Sequence, residues 1–177
     1  MTLSDLASIG GFVSSIAVVI TLIFLLWQLR QTNRNQRSLM QQGRSARSVD
    51  LLLRAAEPHL SEILSRAFSN DISMDETQVR SFQMFSLASL TSWEDSFLQH
   101  QAGTLDDASF TADAAVLRIW ARSPAFRAFW LMMRDIFSGD YRAYVDNLIR
   151  DTKAVREPYS GAATWKEFLK KELEDAE

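Results

Sequence analysis

The sequence predicts an all-α protein, with one N-terminal transmembrane helix continuing into a cytoplasmic bundle of five or six helices. Three observations carry this. Only 6 Gly and 3 Pro punctuate the 177 residues, too few for a turn-rich β protein. Residues 6–29, LASIGGFVSSIAVVITLIFLLWQL, carry no formal charge. Beyond them, apolar side chains recur at helical spacing between helix start and stop signals, and no strand-like alternation competes.

The uncharged stretch comes first. At about 1.5 Å per residue it reaches about 36 Å, enough to cross a hydrocarbon core of about 30 Å with some tilt. A secretory signal would need a basic leader, a shorter apolar core and a small-residue cleavage site, and none is legible. The leader MTLSDLAS has one acid and no Lys or Arg, whereas Arg30, Arg34 and Arg37 follow the span at once. The positive-inside rule then predicts an external N-terminus and a cytoplasmic body. Trp27, Arg30, Arg34 and Arg37 form the expected membrane interface. Within the span, Ala7, Gly11 and Ser15 recur every four residues, with Gly10 and Ser14 beside them. Small residues at this spacing let a neighbouring helix approach closely, so these three are the expected helix-packing face.

A basic collar follows. From Arg30 to Arg54 there are six Arg against Asp50, a local +5. From Ala55 onward 13 Lys and Arg meet 20 Asp and Glu, a local −7. Arg30, Arg34, Arg37 and Arg44 fall on one side of a helix that leaves the membrane. Contact with anionic lipid is one use for such a row, at about 1 kcal/mol per Arg; an ordinary topology signal is the plainer one. Nucleic acid is not expected as a partner, because no aromatics interleave the arginines and the body behind them is acidic. Gly43 is the weak point of this helix. It otherwise runs to Ala56, where Pro58 restricts Glu57 and ends it.

The body reads as successive helices. Pro58 opens one with Leu60, Ile63, Leu64, Ala67 and Phe68 inward. Ser73 and Glu76 form the expected capping box of the next. That helix runs to about Gln101, with Phe82, Phe85, Ser89, Leu90, Trp93 and Phe97 as its stripe, and Gly103 stops it. Asp106 or Asp107 caps a helix with Phe110, Ala114, Leu117 and Trp120 on one face. Ser123 and Pro124 start another, with a stripe of Phe126, Phe129, Trp130, Met133, Ile136 and Phe137. Ser138 caps a helix with Tyr141, Tyr144, Val145, Leu148 and Ile149 inward. Pro158 and Gly161 separate a last helix bearing Trp165, Phe168, Leu169 and Leu173. The expected division is 1–5 short external N-terminus, 6–29 transmembrane helix, 30–56 basic juxtamembrane helix, 57–152 cytoplasmic helical domain, and 153–177 linker and C-terminal amphipathic helix.

Little in this chain points to chemistry. It has no cysteine, which excludes disulfides, thiolate zinc sites and thiol nucleophiles. The histidines are His59 and His100 alone. The paired Glu-x-x-His motifs of di-metal bundles are missing, as are phosphate loops and a nucleophile elbow. Glu94, at the margin of a buried stripe, is expected to pair structurally with Arg118 or Arg122. No catalytic residue, cofactor or metal is expected.

The exit IAVVITLIFLLWQLRQTNRNQRS, followed by WEDSFLQHQAGTLDD, SPAFRAFW and IFSGDYRAYVDNLI, resembles a widespread uncharacterised bacterial family of single-span inner-membrane proteins with a small cytoplasmic helical domain. The likeness covers most of residues 9–150. It implies a bacterial inner-membrane location and a helical fold, and brings no activity and no site residues. Together the readings lead to an expected non-enzymatic accessory or scaffold subunit of a larger inner-membrane complex, respiratory or photosynthetic assemblies among the candidate hosts. Its partners would be the membrane and other integral membrane subunits. The alternative is a lipid- or signal-responsive anchored module that uses the collar on anionic lipid.

Overall fold

Glu57 precedes a proline, which bars it from helical backbone; its extended φ of −60° and ψ of 130° separate the first helix from the second. Such local punctuation divides the whole chain. The computed structural model describes residues 3–155 and 161–176, with backbone only for 3–10 and Val13. Among these residues there are seven α-helices and no strand: α1 (Leu3–Ala55), α2 (Pro58–Phe68), α3 (Glu76–Gln101), α4 (Asp107–Ala121), α5 (Pro124–Met133), α6 (Gly139–Asp151) and α7 (Gly161–Glu174). A short 3-10 turn, Arg134–Ile136, follows α5. The all-α expectation holds. The chain divides into two units, Met1–Gly43 and Arg44–Glu177. The helix passes through Gly43 unbroken. Pro158, expected as a linker residue, lies outside the described residues.

In the second unit, α3 packs against α2, α4, α5 and α6. Its inward face carries Leu90, fully buried, among the small buried residues Ser86, Ser89 and Ser96. Small side chains there let four neighbours come close, and the Ser89 hydroxyl donates back to the Phe85 carbonyl at 3.0 Å. Aromatic rings fill what remains. Trp120 of α4 meets Phe68, Phe85, Trp93 and Phe126, with ring centroids 5.2–6.0 Å apart and three of the four pairs edge-to-face. Tyr141 of α6 meets Phe97, Trp130, Phe137 and Tyr144. Its hydroxyl donates to the Leu90 carbonyl at 3.3 Å, and burial holds the phenols of Tyr141 and Tyr144 above their ordinary range.

The helix ends follow the expected signals with three corrections. Asp106 caps α4 through the Ser109 N–H, and Ser123 caps α5. Gly103 adopts a φ of 67°, the left-handed conformation a helix stop requires. The box that starts α3, however, is Asp75 with Gln78, not Ser73 with Glu76. Ser73 is held elsewhere: its N–H and hydroxyl both bond the Asp71 carboxylate. Arg66 bonds that same carboxylate at 2.8 Å and Gln78 at 2.8 Å, so one guanidinium ties the end of α2 to the start of α3. The second correction concerns Ile136, expected inward but 61% exposed. The α-helix ends at Met133, and a 3-10 turn advances each residue by about 120° rather than 100°, which carries Ile136 out and leaves Phe137 buried. The third is Ser138. It occupies the N-cap position of α6 without a side-chain cap bond.

Two measurements test this architecture. Phe126→Ala, at a position with no exposure, is expected to lower unfolding free energy by about 3–5 kcal/mol, read by denaturant titration of tryptophan fluorescence. Hydrogen bonds from Ser73 and Arg66 hold the Asp71 carboxyl at about 2, below its ordinary 3.8. A depressed carboxyl stabilises the fold above its unfolded pKa and stops doing so as pH falls through the folded one. The stability advantage of wild type over Asp71→Asn is therefore expected to be full above about pH 4 and to vanish near pH 2; an advantage constant across that window would refute it.

Candidate membrane-interaction site

In the first unit the side chains of residues 14–39 are all exposed. The most apolar eighteen-residue stretch of the helix contains no buried residue, and Leu22, Ile23, Phe24, Leu25 and Leu26 are all about half exposed. A helix apolar on every side must be covered by protein or by lipid. This one is long and apolar enough to cross a membrane. Two of its hydroxyls are turned back on its own backbone: Ser15 donates to the Gly11 carbonyl at 2.9 Å and Thr21 to the Ala17 carbonyl at 2.8 Å. Such bonds remove the need for an outside partner where there is no water.

Of the expected packing face, Gly11 and Ser15 are exposed and one turn apart, and a Cβ added at Gly11 would meet nothing. The side chain of Ala7 lies outside the described residues. Trp27 is exposed and stacks on Phe24 with centroids 6.0 Å apart. Arg30, Arg34 and Arg37 are exposed, and none of the ion pairs among the described residues includes them.

The remaining collar arginines belong to the second unit and behave differently. Arg44, half-buried, lies 3.8 Å from Asp113 of α4. Arg47 pairs with Asp95 of α3. Arg54 pairs with Asp50 one turn back at 2.8 Å, and that hydrogen bond pushes its guanidinium above the ordinary range. The row of four expected on one side therefore divides: Arg44 is engaged by the helical body. The end of α1 sits there on polar contacts with gaps beside it, among them a groove of 260 Å³ between Leu51 and Leu52 on one side and Trp93 and Trp120 on the other.

Elsewhere in the body, charged groups hold helix ends. Glu94 pairs with neither Arg118 nor Arg122; its carboxylate accepts from the Ser138 N–H at 2.8 Å. A carboxylate at a helix N-terminus satisfies an orphan donor and meets the positive end of the macrodipole. Arg127 does the converse, donating to the carbonyls of Ala121 (2.6 Å), Ile149 (3.1 Å) and Thr152, where α4 and α6 end. Asp146 accepts from the Trp130 indole at 2.8 Å and from Arg134 at 2.7 Å. His100 stacks on Phe110 and meets Asp107 at 2.9 Å, and His59 is exposed. Among the described residues no three metal-ligating groups converge. Arg127, Asp146 and the true acceptor role of Glu94 were not visible in the sequence, because each bonds a group on another element, which the spacing within one helix does not reveal. Compared with known proteins, the chain matches no family model, no curated sequence and no solved structure.

Proposed function

We propose that the protein is a non-enzymatic accessory or scaffold subunit of a larger bacterial inner-membrane complex, held by α1 with its N-terminus outside and its helical body in the cytoplasm. One observation carries the reading. In the helical body polar side chains such as Arg127 and Glu94 hold helix ends, while large apolar side chains remain outside. Trp165, Phe168 and Leu173 of α7 are each more than 60% exposed, as are Leu131 and Ile136. Apolar surface gathered on one element marks an interaction site. The orientation rests on Arg30, Arg34 and Arg37 following a leader without basic residues. The bacterial host rests on the family resemblance, and respiratory or photosynthetic assemblies are the hosts envisaged.

Purification at native expression level in mild detergent is expected to recover the chain in a particle with other integral membrane proteins. Trp165→Glu combined with Phe168→Glu is expected to weaken retention by about a hundredfold, since each buried aromatic contributes about 1.5 kcal/mol or more. A particle made of this chain alone overturns the reading.

The division of the collar supports a narrower second reading, a lipid-responsive anchored module. Arg30, Arg34 and Arg37 are then the lipid contacts, because Arg44, Arg47 and Arg54 already meet carboxylates. At about 1 kcal/mol per Arg, replacing all three by Gln is expected to reduce partitioning of residues 30–177 onto anionic vesicles by about a hundredfold. Partitioning that ignores lipid charge removes this reading.

A further inference from the structure

The arginines of α1 repeat with an interval that a membrane exit does not require. Arg30, Arg37 and Arg44 are seven residues apart, and so are Arg47 and Arg54. The amides Gln28, Asn35 and Gln42 keep the same interval, and Leu25, Leu39 and Leu53 keep twice that interval. A straight helix drifts by about 20° per seven residues. Helices wind about one another when apolar residues keep a seven-residue period; here Leu25, Leu39 and Leu53 share one position of it with Thr32 and Ala46, and Val49 follows the amides at the other. With the three leucines at heptad position a, the three amides fall at d. Every charged residue of α1, from Asp5 to Arg54, then falls outside a and d.

Each unit leaves its part of this seam uncovered. In the first, Leu25, Gln28, Asn35, Leu39 and Gln42 are exposed. In the second, Val49 and Leu53 are exposed while Arg44, Leu51 and Ala55 are half-buried, so the seam lies on the side the other helices do not use. Residues 31–39 are exposed on every side, and a polar helix of that kind gains most of its stability from a partner.

We propose that α1 pairs with α1 of a second copy of this chain, parallel and in register, through the Leu25–Leu53 seam. The amides select the occupant. Gln and Asn each carry a donor and an acceptor, so each can bond its own image across a two-fold axis; an arginine there would face an arginine. Uncharged polar residues in a seam also fix register, at some cost in stability. The parallel orientation rests on α1 being the span, because both copies then enter the bilayer the same way.

The chain has no cysteine, so single cysteines in the full-length protein report contacts without background. In native membranes under mild oxidation, Asn35→Cys, Gln42→Cys and Val49→Cys are expected to form disulfide dimers at least about tenfold more than Arg34→Cys, Arg37→Cys and Arg47→Cys. Only seam positions bring two Cα atoms within the roughly 4–7 Å that a disulfide spans. Equal yields in the two sets, no dimer at any position, or adducts that differ in mass from twice the chain overturn the pairing. Alkaline carbonate extraction of the same membranes reads insertion separately. A chain that washes off yet crosslinks along the seam keeps the pairing and refutes the span.

Discussion

Four helices meet α3 on an inward face that sets Leu90 and the small buried residues Ser86, Ser89 and Ser96 between the rings of Phe82 and Phe97. Leu90, Ser86 and Ser96 are buried almost completely, and α2, α4, α5 and α6 all touch this one helix. Close approach has a consequence for the backbone. Helix ends crowd together, and the orphan carbonyls where α4 and α6 end are partly buried. Each then needs a partner from inside the protein. Arg127 supplies donors where α4 and α6 end, and Glu94 supplies an acceptor where α6 begins. The polar groups of the body follow from the packing around α3.

This dependence explains which features could be read in advance. Apolar spacing is a property of one helix at a time, so the stripes of α2, α3, α4 and α6 and the caps at Asp106 and Ser123 were legible in the chain. The start of α3 was not, because two boxes overlap there: Ser73 with Glu76, and Asp75 with Gln78. Asp71 decides between them by engaging Ser73, and Arg66 holds Asp71 from the preceding helix. Ile136 failed for a related reason, since the period changes where α5 gives way to a 3-10 turn. At the candidate membrane-interaction site the apolar length and the arginines were visible. That Arg44 meets Asp113 and Arg47 meets Asp95 was not, because the partners lie far along the chain.

The division among the arginines also gives α1 two characters. Over residues 14–39 its surface is uncovered, and charge begins there only at Arg30. From Arg44 to Ala55 the same helix is a docked element of the helical body, fixed by ion pairs on one side. A basic stretch that looks uniform in composition is therefore heterogeneous in role. Arg44 and Arg47 answer to the acids of α4 and α3, Arg54 to Asp50 of its own helix, and Arg30, Arg34 and Arg37 are exposed.

The bond from Tyr141 to Leu90 has a meaning in time as well as in space. It joins residues 51 positions apart, and α6 also buries Val145 and Leu148 in the core that α3 starts. Most of the packed helix pairs are neighbours in sequence or nearly so, which favours rapid folding. Synthesis runs from the N-terminus at about 5–20 residues per second. For several seconds, then, α3 is complete while the helix that closes over it has yet to be made. During that interval the serine-lined face around Leu90 stays open, and a nascent chain is most exposed to wrong partners there.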